Sequence, residues 1–235
     1  IKDAQLRLNQ WEVDVAYPFI LWAQRLLSTG AVTVSDVVAV LKFIESFAVR
    51  RLVCGVPTNR MRRVFAQMPK SVDTARFVDS ASEYLVANDW PTDALFREGF
   101  RNARLYIPGR LARTRLILQA LERSFPSKEH VAFEEQITIE HVLPQTLNEA
   151  WRESLGPDSS RVQERYLHTI GNLTLTAYNS ELGNLPFDSK KARLLESKFN
   201  LTDWIVAQPT WGELQINLRA DDLAGRALAI WRRPD

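Results

Sequence analysis

Ile139-Glu140-His141-Val142-Leu143-Pro144-Gln145 is the stretch on which the reading of this chain turns, and Gly171-Asn172-Leu173-Thr174-Leu175-Thr176 is its counterpart further on. Residues 136–140 alternate polar and apolar side chains and include β-branched Ile137, Thr138 and Ile139, which predicts a strand ending at His141. Residues 172–176 alternate likewise after the turn residue Gly171 and predict a second strand. Pro144 takes the chain out of the first strand, and a helix is expected over about 188–198. Glu140 and His141 set a carboxylate and an imidazole side by side where a strand ends. Neighbouring side chains on a strand face opposite ways, so the two can address different atoms of one substrate only if the backbone bends there. A histidine, a carboxylate and the asparagines Asn172 and Asn179, with no cysteine among them, suit a hard oxygen-liganded cation and a proton-accepting base rather than structural zinc.

The sequence on either side reads as helix. Pro18 and Gly30 bracket residues 19–28, and Ser35 is placed to cap a long helix that stops at Gly55. Thr58, Thr92 and Gly109 precede three more, while Thr210 and Glu213 form a capping-box pattern ahead of Leu214, Leu218, Leu223 and Leu228. The expected fold class is α+β and mainly helical. A helical region spans 1–125, for DNA binding or docking against another domain, and a strand–strand–helix core with flanking helices spans 126–235. Charge divides the same way: residues 1–125 carry 18 Lys and Arg against 12 Asp and Glu, a net +6, and residues 126–235 carry 12 against 16, a net −4. A basic face for a polyanion beside carboxylates for a metal is one reading of that split, and chance variation is the other.

Composition narrows the classes further. At 235 residues, 46% hydrophobic and 25% charged, the chain is globular, which excludes disorder and collagen-like repeats. Apolar runs such as 37–41 are far shorter than the roughly 20 residues of a membrane span. A single cysteine, Cys54, forms no internal disulfide, so a reducing cytoplasm is the expected location. A first residue of Ile1 rather than Met reads as a piece of a longer protein.

The stretches quoted above resemble the HNH, or ββα-metal, nuclease motif, in which Asp/Glu-His-x-x-Pro ends one strand, an Asn-Leu segment forms the next, and a further Asn or His precedes the helix. Together with Tyr178-Asn179-Ser180, Pro186-Phe187 and Lys190-Lys191, they more closely resemble the C-terminal nuclease domain of GmrSD-type restriction endonucleases. Ile44-Glu45-Ser46-Phe47 and the run 49–55 resemble the helical segment before that nuclease. The resemblance implies a bacterial anti-phage protein that attacks foreign DNA, often DNA with modified bases or backbone, with an N-terminal nucleotide-binding sensor domain lying outside this chain.

Carried onto these residues, the resemblance implies that neutral His141 takes a proton from the attacking water. Glu140 and Asn179 hold one Mg²⁺ or Mn²⁺, and Asn172 pins the loop that orients His141. Most such motifs have Asp where this chain has Glu140, which leaves open whether the metal is held directly or through water. Lys190 and Lys191 read either as phosphate contacts or as a solvated helix face. Arg97, Arg101 and Arg104, at i, i+4 and i+7, predict one helical face opposite Phe96 and Phe100, suited to DNA phosphates or simply solvated. Arg50 and Arg51 read as structural or interdomain residues. His168 reads as a second catalytic histidine or a hydrogen-bonded structural one, and His130 as a surface residue. The expected activity is a metal-dependent DNA endonuclease that nicks or breaks both strands. The alternatives are an RNA-directed nuclease and a catalytically silent DNA-binding module.

Overall fold

The computed structural model describes residues 1–126, 133, 137–177 and 182–234. They form two compact units, Ile1–Gly99 with Leu228 onward, and Phe100–Ala227. The fold is α+β and mainly helical, and among the described residues no helix is long and apolar enough to cross a membrane.

The first unit is built on helices α1 (Lys2–Gln10), α2 (Tyr17–Ser28), α3 (Val34–Val53), α4 (Met61–Ser71) and α5 (Phe77–Val86), with α6 (Asp93–Asn102) beginning in it. Its longest helix, α3, buries Ile44 and Phe47 completely, and Phe47 meets Phe65 and Trp90 edge-on at 6.0 and 6.1 Å. Thr33, two residues before the expected Ser35, caps α3. The Thr33 hydroxyl accepts from the Asp36 N–H while the Asp36 carboxylate accepts from the Thr33 N–H. Arg50 and Arg51 are buried within α3 and donate to backbone carbonyls, Arg50 to Trp231 and Pro91 and Arg51 to Asn88, Asp89 and Pro57. Arg50 also pairs with Asp93 at 2.7 Å. Both arginines therefore tie loops to α3.

The second unit carries α7 (Leu111–Arg123), β1 (Thr138–His141), α8 (Glu149–Leu155), α9 (Ser159–Tyr166), β2 (Leu173–Thr176), α10 (Phe187–Leu194), α11 (Asn200–Val206) and α12 (Glu213–Ile230). The strands pair antiparallel with Thr138 opposite Thr176, Glu140 opposite Thr174 and His141 opposite Leu173. Gln136, expected to open the first strand, lies outside the described residues, as does His130. Val142, Leu143, Trp151, Phe187, Trp211 and Ile216 share one core against which the hairpin end is packed.

Two residues fix the turn before β2. A Cβ on Gly171 would collide with the backbone carbonyl oxygen of Ile216, so α12 passes where only a glycine fits. From the same helix, Arg219 is 1% exposed and donates from Nη1 to the carbonyls of Ile170, Gly171 and Leu173, and from Nη2 to that of Leu201. Burial lowers its pKa to about 9, and the four carbonyl contacts compensate for lost hydration.

Candidate functional site

The site forms where β1 ends. Because side chains alternate along β1, Glu140 and His141 leave opposite faces of the hairpin, yet both line one polar cavity of about 400 Å³ together with Tyr106, Gln145, Thr146 and Asn184. The backbone bend that allows this is held by Asn172. Its fully buried amide accepts from the Leu143 N–H at 2.7 Å and from Trp211 Nε1 at 3.0 Å, and donates to the carbonyls of Leu143 and Leu167 at 3.0 and 2.9 Å. Every hydrogen-bonding direction of that side chain is used, so the turn after His141 has little freedom.

Glu140 is 4% exposed, and its Oε1 accepts from Lys190 Nζ at 2.6 Å. Lys190 has no exposed surface and also donates to the His141 carbonyl at 2.7 Å. Burial pushes the Glu140 carboxyl up and the Lys190 ammonium down, while the charge of each partner pulls it back. An ammonium wholly inside the protein does not reach an external phosphate, which corrects the phosphate-contact reading of Lys190. Lys191, its neighbour on α10, donates to the Gln208 carbonyl at 2.8 Å.

His141 is 4% exposed. Its Nε2 lies 3.2 Å from Nδ1 of His168, and the Tyr106 ring meets it edge-on at 4.5 Å while stacking on His168 at 5.6 Å, nearly parallel. Burial, then the charges of His168 and Lys190, lower the His141 pKa from 6.5 to about 3, so the ring is uncharged at neutral pH. His168 is held down by burial and by the guanidinium of Arg104.

In the unfolded chain His141 takes up a proton below about pH 6.5, whereas in the folded chain it does so only near pH 3. The unfolded state therefore binds more protons across that window. His141 removes stability as pH falls from 6.5 toward 3, by at most about 1.4 kcal/mol per pH unit, and changes nothing above it. Thermal melting in EDTA at pH 7 and pH 5 should show a smaller drop for His141→Ala than for the unaltered chain. Equal drops would contradict the buried neutral imidazole.

The arginine series is not one helical face. The helix α6 ends at Asn102, so Arg104 lies beyond it, and Arg101 pairs with Asp221 at 3.1 Å. Arg97 stays on α6, whereas Arg104 is exposed and near enough to His168 for its charge to act there. Asn179 lies outside the described residues, and among those described no three His, Cys, Asp or Glu side chains gather around one point. Glu140, the one carboxylate lining the polar cavity among the described residues and already bonded through Oε1 to Lys190, still fits Mg²⁺ or Mn²⁺, which take one or two protein carboxylates and fill the remaining positions with phosphate and water oxygens. Sequence reasoning misses Tyr106, which belongs to no motif, and Arg219, whose signal is a cation on the apolar face that carries Ile216, Ala220 and Leu223.

The sequence profile of the C-terminal domain of GmrSD restriction endonucleases matches residues 90–226, a span that holds every residue of this site. No curated protein matches the chain.

Proposed function

The chain belongs to the family of GmrSD restriction endonuclease C-terminal domains, and on that premise we propose that it is a metal-dependent DNA endonuclease of the HNH, or ββα-metal, type. Phosphodiester hydrolysis needs help at both ends, because water is a weak nucleophile and an alkoxide a poor leaving group. The observation that carries this reading is His141, an uncharged imidazole buried beside a carboxylate and opening on a polar cavity. His141 takes the proton from the attacking water, and Asn172 keeps the ring aimed by fixing the turn that follows it. Glu140 and Asn179 are the residues we assign to Mg²⁺ or Mn²⁺, which when bound supplies positive charge at the phosphate and the departing oxygen. Lys190 holds the Glu140 carboxylate and the His141 carbonyl in place. Exposed Arg104, beside His168, is assigned to a neighbouring phosphate of the strand.

Relaxation of supercoiled plasmid in Mg²⁺, Mn²⁺ or EDTA, with an RNA of similar length in parallel, tests this directly. Nicked or linear product should form with either metal, none should form in EDTA, and the RNA should stay intact. Cutting that persists in EDTA would overturn the metal assignment. Cutting of RNA alone would overturn the substrate, and DNA binding without cutting would make the chain a silent binding module.

A further inference from the structure

Which nitrogen His141 can offer a substrate is decided by what holds the other one. His141 Nε2 faces His168 Nδ1 at 3.2 Å, and two neutral imidazoles at that distance share one hydrogen. If His168 carries it on Nδ1 and donates, His141 must carry its own proton on Nδ1 and has no lone pair left for water. If His141 carries it on Nε2 and donates, its Nδ1 keeps a lone pair for the cavity that the ring lines. Only the second arrangement makes a base.

His168 is held for this task from two sides. Its backbone carbonyl accepts from the Leu105 N–H at 2.9 Å, and the Tyr106 ring lies flat on it, 10° from parallel, while touching His141 edge-on. We propose that His168 is the positioning residue of the site: it accepts the His141 Nε2 hydrogen, fixes Nδ1 as the basic nitrogen, and is itself kept in plane by Tyr106. The inference rests on the reading of His141 as the base. When Nδ1 takes the water proton, the Nε2–H···Nδ1 bond becomes charge-assisted and strengthens as the positive charge develops on a buried ring. No other donor or acceptor needs to move.

The test uses the full chain. Nitrogen-15 correlation spectra at pH 7 in EDTA report the tautomer of His141 without any need for activity. The unaltered chain should show the proton on Nε2. His168→Asn puts an amide oxygen close to where Nδ1 stood, and His168→Phe keeps a flat ring against Tyr106 but offers no acceptor. Asparagine should preserve the His141 tautomer and keep kcat within about 10-fold. Phenylalanine should leave His141 in a mixture of tautomers and lower kcat on the order of 100-fold with KM little changed, the scale on which outer partners of functional histidines act. A proton on Nδ1 of His141 in the unaltered chain would overturn the proposal even if neither variant folded. So would full activity in His168→Phe, or equal loss in both variants. If His141→Ala itself still cuts DNA, the base reading fails. If that variant is dead while His168→Phe cuts normally, only the role of His168 fails.

Discussion

Lys190→Met should destabilise the protein by about 3–5 kcal/mol, the usual consequence of removing one partner from a buried ion pair. The two charged groups are 2.6 Å apart, with side chains 0% and 5% exposed, so removing the ammonium leaves a nearly buried carboxylate without its charged partner. Methionine is unbranched like lysine and one heavy atom shorter, so it fills most of the same space and the main change is in charge and hydrogen bonding. The variant also leaves the His141 carbonyl without its donor, which adds to the loss. Burial already pushes the Glu140 carboxyl up, and without Lys190 only the hydrogen bond from the His141 backbone opposes that push, so the carboxyl rises further in the folded state. Glu140→Gln combined with Lys190→Met removes both charges and should recover most of the stability lost by the single change. Urea midpoints of the unaltered chain and the variants at pH 7 in EDTA measure this. A loss below about 1 kcal/mol for Lys190→Met would mean that the pair behaves like an exposed one. Equal losses in the single and double variants would mean that the two charges are not coupled.

Much of the hairpin is legible in the sequence because its signals are local. Alternating β-branched residues before His141, Gly171 ahead of the second run and Pro144 after the first specify two short strands, and β1 and β2 pair there. The identities of Glu140, His141 and Asn172 stand in the motif itself. What the sequence does not carry is direction in space. Lys190 and Lys191 are adjacent letters, but on α10 they point about 100° apart, so one enters the core beneath Glu140 while the other reaches Gln208. The spacing of Arg97, Arg101 and Arg104 describes one face only while the helix continues, and α6 stops at Asn102. Tyr106 and His168 come together because a backbone hydrogen bond from Leu105 joins segments some sixty residues apart, which no window of sequence displays. Among the site residues, Arg219 was within reach, since a cation among Ile216, Ala220 and Leu223 has to find acceptors in the core.

The other large effect concerns the reaction. His141→Ala removes the proton acceptor while leaving Glu140, Lys190 and Asn172, whose bonds do not use the His141 side chain. A general base contributes about 10²- to 10⁴-fold to a rate, and the variant should lose that much, equivalent to about 2.7–5.5 kcal/mol of transition-state stabilisation. The ring is nearly fully buried, so some stability goes with it, and both proteins must be assayed well below their melting temperatures. The decisive measurement is the single-turnover cleavage rate of supercoiled plasmid by the unaltered chain and by His141→Ala, side by side in Mg²⁺ or Mn²⁺. Rapid cutting by the first and a rate at least 100-fold lower for the folded second is the expected result. Equal rates would contradict the account at its centre.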